Sequence, residues 1–239
     1  MENDVRREGV LSVVATPIGN LEDITLRALR TFKECDVIYA EDTRVISKLL
    51  ARYEIKKPLQ RLDAATEIKK ADEIIARLEM GEHVAFVSDA GTPGISDPGA
   101  RLIRHIRTNM PIANIVVIPG PSALTAALSI AGIDATEFTF LGFLPHKKGR
   151  QTALKKIVEM VRPGSPQGEI PVVLYESPHR ILKLMTELAS IKVEHVVIAR
   201  ELTKIHEEIL DGEPAELARV LEGKGAVRGE FVVIIENSR

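Results

Sequence analysis

The chain has 239 residues, of which 45% are hydrophobic, 28% charged and only 4% aromatic. This composition is typical of a globular protein with aliphatic cores, and the length fits one large or two compact domains. A formal net charge of −2 gives no overall attraction to polyanions, so contact with nucleic acid requires a local basic patch. The single cysteine, Cys35, excludes an intrachain disulfide, and no Cys/His spacing suggests a metal site. No apolar stretch of about 18 residues predicts a membrane span, and we expect a cytoplasmic protein.

Short apolar runs alternate with segments of helical period along the first half of the chain. Helices are predicted at Leu21–Arg30 and around Ile68–Leu78, where apolar residues recur on one face. Because strands and helices alternate, we expect a mostly parallel sheet with helices on its faces. The strands are predicted at Leu11–Ala15, Val37–Ala40, Val84–Val87 and Ile115–Ile118.

The second half has a different pattern, in which the last strands allow antiparallel pairing. A proline and glycine hinge, Ile118–Ser122, leads into a helix of small residues, Ala123–Ala131, and predicts the domain boundary. The predicted domains are therefore 1–118 and 119–239. In the second domain, strands are expected at Phe138–Phe143, Val172–Tyr175, Val196–Ala199, Ile205–Leu210 and Phe231–Ile235, and helices around Arg150–Val161, Pro178–Leu188 and Pro214–Leu221.

The most informative motif is VSDAGTPGISDPG, Val87–Gly99, which follows a predicted strand. Glycine admits positive φ and proline fixes φ, so such a loop can be shaped tightly and still present main-chain groups to a ligand. In the simpler interpretation, Asp97 caps a helix whose first residue is Pro98. That cap leaves Asp89–Gly94 unexplained, so the motif predicts a ligand-binding loop.

Two further loops follow predicted strands of the same sheet. Thr16–Asn20, TPIGN, has the strand, loop and helix order in which main-chain amides meet a nucleotide-like ligand, although it is also compatible with an ordinary turn. The sequence lacks G-x-G-x-x-G, which disfavours a dinucleotide site. Pro119–Leu124, PGPSAL, is compatible with a ligand role or with a hinge in which Ser122 caps the next helix.

Polar clusters occur at four other places. Glu41–Arg44, EDTR, follows a strand where α/β ligand sites form, or it simply caps the next helix. Gly142–Arg150, GFLPHKKGR, is the densest basic stretch and suggests phosphate contact, although such runs are commonly solvated surface. The other two clusters are Tyr175–Arg180, YESPHR, and Arg200–Lys204, RELTK.

Taken together, these motifs resemble the tetrapyrrole methylase superfamily of S-adenosylmethionine (SAM)-dependent enzymes, and within it the branch that methylates small-subunit ribosomal RNA. The resemblance runs nearly from end to end. It rests on VATPIGNLEDITLRAL (14–29), YAEDTR (39–44), VSDAGTPGISDPG (87–99), PGPSALTAAL (119–128), GFLPHKKGR (142–150), YESPHRI (175–181), ARELTK (199–204) and GEFVVII (229–235).

The resemblance implies a class III SAM methyltransferase fold of two α/β domains, each a sheet flanked by helices, with SAM in the interdomain cleft and usually a homodimer. It also implies 2′-O-methylation of a cytidine ribose in the decoding region of small-subunit (16S) rRNA. The SAM-binding residues carried over by motif are Pro17, Ile18, Asp89, Gly91, Thr92, Pro93, Gly94, Ile95, Ser96, Asp97, Pro98, Ser122, Ala123, Leu141, Gly142 and Leu202.

For catalysis, we hypothesise that Glu41, Asp42 and Arg44 meet Glu201 and Lys204 across the cleft. A carboxylate, or a lysine of lowered pKa, would then take the proton of the 2′-hydroxyl.

RNA binding is predicted to use Lys147, Lys148 and Arg150 as phosphate clamps, with Arg44 and Arg180 nearer the target nucleotide. Two alternatives remain open from the residues. One is methylation of a tetrapyrrole or another small molecule, and the other is a non-catalytic module that binds SAM or a nucleotide.

Overall fold

The computed structural model describes residues 8–162, 164, 170–225 and 227–236. The chain divides into two compact units, Met1–Ser122 and Ala123–Arg239. The division follows Ser122, the last residue of the proline and glycine segment Ile118–Ser122, whereas the predicted boundary follows Ile118, its first residue.

The first unit contains a five-stranded sheet whose strands are all parallel, in the order β3-β2-β4-β1-β5. This confirms the expected parallel sheet flanked by helices. The short strand β3 was missed because only one of its three residues, LQR, is apolar. The strands are β1 (Val10–Val14), β2 (Val37–Ala40), β3 (Leu59–Arg61), β4 (His83–Val87) and β5 (Asn114–Ile118); the helices are α1 (Leu26–Glu34), α2 (Thr43–Arg52), α3 (Glu67–Glu79) and α4 (Ala100–Asn109).

The helices of the first unit cover the two faces of this sheet in pairs. Helices α1 and α2 share one apolar cluster with the sheet, in which Phe32 and Leu49 are buried. Helices α3 and α4 share the other, in which Ile74 and Ile106 are fully buried. Burying both faces explains why strands β2 and β4 are continuous apolar runs rather than alternating ones.

The predicted helix at Leu21–Arg30 is wrong at its start. A short 3₁₀ helix occupies Leu21–Asp23, and α1 begins only after Thr25, whose hydroxyl oxygen accepts a hydrogen bond from the Ala28 amide at 3.1 Å. Threonine is a preferred residue at this capping position because its side chain satisfies one of the free amides of the first turn.

The second unit contains a mixed sheet in the order β6-β7-β10-β8-β9. Strand β6 is parallel to β7, and the remaining pairs are antiparallel, as the sequence allowed. The strands are β6 (Thr139–Phe143), β7 (Val172–Glu176), β8 (His195–Arg200), β9 (Glu208–Gly212) and β10 (Phe231–Glu236); the helices are α5 (Ala123–Ile130), α6 (Arg150–Val161), α7 (Ile181–Ser190) and α8 (Pro214–Gly223).

The strand predicted at Ile205–Leu210 begins too early. Ile205 lies in a turn with 97% of its surface exposed, and β9 starts at Glu208. One apolar residue between polar neighbours does not distinguish a turn from a strand.

In the described part of the chain, no helix is long and apolar enough to cross a membrane. Nor does any group of three or more His, Cys, Asp or Glu residues there have the arrangement of a metal site.

Candidate functional site

Four loops of the first unit meet at the carboxyl edge of its sheet, because the carboxyl ends of parallel strands lie side by side. The loops after β1 and β4 exchange two backbone hydrogen bonds. The Thr16 amide donates to the Gly91 carbonyl at 2.9 Å, and the Gly91 amide donates back at 3.0 Å. The TPIGN segment and the Val87–Gly99 loop therefore form one structure.

The PGPSAL segment after β5 joins the same structure. The Thr92 hydroxyl donates to the Pro121 carbonyl at 3.4 Å. A Cβ added at Gly120 would lie 3.1 Å from the Ala15 Cβ, so this close approach favours glycine. The loop after β2 is attached by the Asp42 amide, which donates to Asp89 Oδ1 at 2.8 Å.

The Val87–Gly99 loop turns back on itself through residues of positive φ, among them Gly91, Gly94 and Ser96. The Gly94 amide donates to the Pro98 carbonyl at 3.1 Å, which closes the end of the loop. Glycine adopts these angles without steric cost, so Gly91 and Gly94, two of the three glycines of the motif, allow the tight shape that the sequence predicts.

The expected cap at Asp97 and Pro98 is wrong. Helix α4 begins at Ala100, and no side chain caps it from Gly99. The buried carboxylate of Glu67, from α3, instead accepts hydrogen bonds from the amides of Gly99 and Leu102 at 3.0 and 2.8 Å. Sequence reasoning missed Glu67 because its partners lie more than 30 residues away along the chain.

An acidic cluster lies beside these loops. Burial, and next the charge of Asp89, raise the pKa of Asp97 to about 6. Burial also raises the pKa of Glu41, with the charges of Asp89 and Asp97 as further causes. Arg61 is the cation that opposes this rise at Glu41. The loops therefore surround carboxyl groups whose negative charge is poorly compensated.

Asp42 differs from the other acids because its charge is balanced. Its carboxylate is 2.5 Å from the Arg44 guanidinium and accepts a hydrogen bond from the Arg44 amide at 2.9 Å. These two bonds lower the pKa of Asp42 to about 2. Asp42 thus caps α2, as the simpler interpretation of EDTR proposed.

The predicted pair Glu201 and Lys204 lies in the turn between β8 and β9 of the second unit. Lys204 Nζ is 2.8 Å from both Glu201 Oε1 and Glu230 Oε2. Burial alone would lower the pKa of Lys204, but its bonds to the two carboxylates outweigh burial and raise the pKa. The expectation of a lysine of lowered pKa is therefore wrong.

Glu230 and Gly229 were not among the predicted site residues, although both belong to the GEFVVII motif. The Glu201 amide donates to the Glu230 carbonyl at 3.0 Å, and the Glu230 amide donates to Glu201 Oε1 at 3.0 Å. A Cβ at Gly229 would lie only 2.6 Å from the Glu201 Cγ. The RELTK turn therefore packs closely against Gly229, which is distant from it in sequence.

The prediction that Arg150 clamps phosphate is at odds with its burial, since only 4% of its side chain is exposed. Its guanidinium lies 2.6 Å from Glu187 and also donates to the Pro145 carbonyl at 3.4 Å. Burying an arginine is costly unless it is paired, and this one is paired with Glu187 while it holds the Pro145 carbonyl.

Arg180 has the same kind of environment. It is 2.8 Å from the buried Glu176 and donates to the Leu144 carbonyl at 2.7 Å. These bonds give Arg180 a structural role within its own unit, and its place beside a nucleotide stays a prediction. Together with Arg150, it fixes the carbonyls that begin the loop carrying Lys147 and Lys148, both of which are exposed.

The other residues predicted to bind SAM fall into two groups. In the first unit, Pro17 and Ile18 are buried, whereas Ile95 is 41% exposed. In the second unit, Gly142 has a φ of 62° at an irregularity in the pairing of β6, and Leu202 is buried in the turn after β8. The remaining members of the predicted set are Pro93, Ser96, Pro98, Ser122, Ala123 and Leu141.

Comparison with known proteins identifies the class of this fold. Residues 10–218 match the family model of tetrapyrrole (corrin/porphyrin) methylases. The crystal structure of the methyltransferase CobJ superposes with a TM-score of 0.69 at 19% identity, covering 96% of this chain and 95% of that one. This likeness concerns the fold alone.

Closer relatives are proteins named ribosomal RNA small subunit methyltransferase I. The protein from Borrelia garinii subsp. bavariensis is 43% identical over 232 residues, which are 96% of this chain and 99% of the relative. The protein from Thermotoga maritima is 42% identical over 229 residues, or 95% and 98% of the two chains.

The chain therefore belongs to the tetrapyrrole methylase family and, within it, to the group of ribosomal RNA small subunit methyltransferases I. It is a methyltransferase, and the methyltransferases of this family use SAM as the methyl donor.

Proposed function

We propose that this chain transfers the methyl group of SAM to the 2′-hydroxyl of a cytidine in small-subunit ribosomal RNA, in the cytoplasm. The observation that carries the proposal is the identity of 43% over nearly the whole length to relatives named for that RNA. The CobJ likeness, at 19% identity, concerns the fold and gives no reason to prefer a small-molecule substrate.

The loops of the first unit suit this cofactor. SAM supplies a methyl group already activated by a positively charged sulfur. A cation near Glu41, Asp89 and Asp97 would relieve the repulsion that contributes to the raised pKa of Glu41 and Asp97. The main chain of the Val87–Gly99 loop is held in place by Glu67 and Thr16, so it can orient a ligand without reorganising.

Among the predicted catalytic residues, Glu41 is the best suited to take the proton of the attacking hydroxyl. Its raised pKa makes it a stronger base than Asp42, whose pKa is about 2. Lys204 is protonated at neutral pH because its pKa is raised, so it has no free electron pair for a proton. The proposal therefore keeps Glu41 as base and gives Asp42, Glu201 and Lys204 positioning roles.

RNA contact is assigned to Lys147 and Lys148, which lie on the exposed loop held by Arg150 and Arg180. Lysine ammonium groups at the surface neutralise phosphates without sequence preference. Replacing both lysines by glutamine should weaken RNA binding and flatten its salt dependence. The matched control is Lys155 and Lys156, an exposed pair on α6.

The function is tested by incubating the chain with small ribosomal subunits and SAM labelled in the methyl group. We expect label in RNA, on a cytidine ribose, where it makes the adjoining phosphodiester resistant to alkali. Label on a base would overturn the 2′-O assignment. If a preparation that binds SAM transfers label to no RNA, the proposed RNA substrate is wrong.

The role of the Val87–Gly99 loop in binding SAM is tested with two alanine substitutions, each at a glycine of similar φ. We call this segment the cofactor loop. Gly91 has a φ of 74° and lies in the loop, whereas Gly132 has a φ of 69° and lies in the connection between α5 and β6 with nothing near an added Cβ. Both variants should lose stability, since alanine strains such a backbone. Gly91→Ala should also weaken SAM binding by about 10-fold or more. Equal SAM affinities in the two variants would contradict a role for the Val87–Gly99 loop in binding SAM.

The proposal includes a homodimer. Strand β6 is an edge strand, and three of the apolar residues on it or next to it are exposed: Phe138, Leu141 and Phe143. Exposed apolar edges are typical of surfaces that pair with another chain. Sedimentation should give twice the chain mass for the wild type and a lower mass for Phe143→Glu. A monomeric wild type at micromolar concentration would overturn the dimer.

A further inference from the structure

Helices α1 and α2 carry an unusual excess of positive charge. Between them they hold six basic residues and one acidic residue, Glu34, although the whole chain has a net charge of −2. Charges of one sign on neighbouring helices produce a local positive electrostatic potential, which the net charge of the whole chain does not reveal. The basic residues are Arg27, Arg30, Lys33, Arg44, Lys48 and Arg52.

All six basic side chains are exposed. Arg44 is the one that is paired, through Asp42. The other five form neither an ion pair nor a side-chain hydrogen bond with any residue that the structure describes (8–162, 164, 170–225 and 227–236). Their charges are therefore available to an external partner.

The cations point away from the core of the unit. On α2, residues at positions 44, 48 and 52 follow at steps of four, which places them in one row at intervals of about 6 Å. The buried residues Ile46 and Leu50 lie on the other side of the same helix. On α1, the buried Ala28 and Phe32 likewise leave Arg27, Arg30 and Lys33 on the outer side.

The two helices form one continuous layer. Their buried residues belong to the same apolar cluster over the sheet, and the Tyr53 hydroxyl at the end of α2 donates to the Leu21 carbonyl, before α1, at 2.8 Å. The cationic rows consequently belong to one surface, which we call the α1–α2 face.

The opposite face of the same sheet provides an internal contrast. Helices α3 and α4 also carry six basic residues, but four acidic residues lie among them. Two of these acids are paired with basic groups: Asp72 is 2.7 Å from His105, and Glu73 is 2.7 Å from Lys70. With four acids to six basic residues, α3 and α4 are thus less positive than α1 and α2, although Arg101, Arg104 and Arg107 on α4 are exposed.

The α1–α2 face begins at the candidate site. Helix α2 starts at Thr43, directly after Asp42, whose amide is bonded to Asp89 of the cofactor loop. The row of cations runs from there along the helix for about 12 Å. A polyanion that reached the site could continue along this row.

We propose that the α1–α2 face binds backbone phosphates of the ribosomal RNA substrate, next to the nucleotide that is modified. This inference rests on the proposed function and adds a binding surface to it. Unpaired lysines and arginines at regular spacing neutralise phosphates and release counterions, which gives affinity and position without sequence recognition.

The test compares two triple variants of the full chain. One is Arg30→Gln with Lys48→Gln and Arg52→Gln, on the α1–α2 face. The matched control is Arg101→Gln with Arg104→Gln and Arg107→Gln, on α4. Both remove three exposed positive charges, so they change the net charge equally. Binding to small ribosomal subunits and SAM binding are measured for each, over a range of salt concentrations.

For the first variant we expect RNA affinity to fall about 10-fold, and the slope of log affinity against log salt to become smaller by about 2. SAM affinity should be unchanged, which shows that the variant is folded. The control should keep the slope of the wild type. Equal losses in the two variants, or an unchanged slope in the first, would overturn the inference. A wild type that binds SAM but labels no RNA would instead overturn the proposed function.

Discussion

Two groups of ionisable residues, one in each unit, differ in how their charges are balanced. In the first unit, burial and the charge of Asp89 raise the pKa of both Glu41 and Asp97. In the second unit, Lys204 lies 2.8 Å from both Glu201 and Glu230. Burial alone would raise the pKa of Glu201, but the bond from Lys204 and the Glu230 amide outweigh it and lower the pKa.

This difference separates residues that exchange protons from residues that hold a turn in place. Crowded acids have pKa values closer to neutrality, which suits proton transfer and the binding of a cation. A lysine between two carboxylates keeps its proton, and the acids keep their charge. The first group therefore has the properties of a reactive site, whereas the second has those of a structural ion pair.

The largest effect is expected for Glu41→Gln. If Glu41 takes the proton, kcat should fall by about 10²–10⁴-fold, because glutamine cannot accept it. SAM affinity should change by no more than a few-fold. Single-turnover transfer to small ribosomal subunits and equilibrium SAM binding measure the two quantities.

Asp42→Asn is the neighbouring control. Asparagine also caps helices well, so the fold should be retained, and kcat should fall much less than for Glu41→Gln. If Asp42→Asn removes activity while Glu41→Gln keeps it, the contrast drawn between these two carboxylates is wrong.

The next effect concerns Glu67, whose carboxylate holds the Gly99 end of the Val87–Gly99 loop. Glu67→Ala should lower the free energy of unfolding by about 2–3 kcal/mol, because two buried amides lose a charged acceptor. SAM affinity should fall as well, since the Gly99 end of the loop is released. Thermal unfolding and calorimetry measure these changes.

Glu67→Gln keeps an acceptor oxygen and should lose less stability than Glu67→Ala. Glu79→Ala, an exposed position on the same helix, is the control for a general effect on α3. If SAM affinity is the same in Glu67→Ala and Glu79→Ala, the loop does not depend on this cap.

The sequence predicted the part of the site that depends on local pattern. The parallel strands of the first unit follow from alternating apolar runs and helical periods, and the shape of the Val87–Gly99 loop follows from Gly91 and Gly94. The convergence of the loops follows from the geometry of a parallel sheet. These features require only neighbours along the chain and a rule of topology.

Features that depend on distant partners were not predicted. Arg150 looked like one more exposed cation of a basic loop, but its partner Glu187 makes it a buried residue. Lys204 was expected to have a lowered pKa, because the sequence does not place Glu230 beside it. The cap of α4 was assigned to Asp97, whereas Glu67 provides it. In each case the deciding carboxylate lies more than 20 residues away.

A smaller effect, on the pH dependence of stability, is expected at Asp97. Its pKa is about 6 in the folded chain against an ordinary value of 3.8, so the folded state binds more protons between these pH values. Stability should therefore decrease as the pH rises through this window and then level off. Asp97→Asn removes this decrease, so its Tm should exceed that of the wild type by about 2–4 °C at pH 7 and less at pH 4.

Asp134→Asn is the control of opposite sign. Hydrogen bonds from Thr136 lower the pKa of Asp134, so its carboxylate stabilises the fold at neutral pH and this contribution is lost as the pH falls. Asp134→Asn should thus lower the Tm at pH 7 and not below pH 3. A Tm difference for Asp97→Asn that stays constant with pH would mean that the Asp97 carboxyl is not perturbed.

The smallest effect is expected for Lys204→Met, and it tests the second half of the comparison. If Lys204 only pairs with Glu201 and Glu230, kcat should stay within about 10-fold and the pH–rate profile should keep its shape. The free energy of unfolding should fall by about 1 kcal/mol at most, because the pair is partly exposed. Glu230→Gln removes one of the two partners and should have a still smaller effect on kcat. A loss of more than 100-fold in Lys204→Met, with the basic limb of the profile gone and SAM binding intact, would make Lys204 the proton acceptor despite its two carboxylate partners.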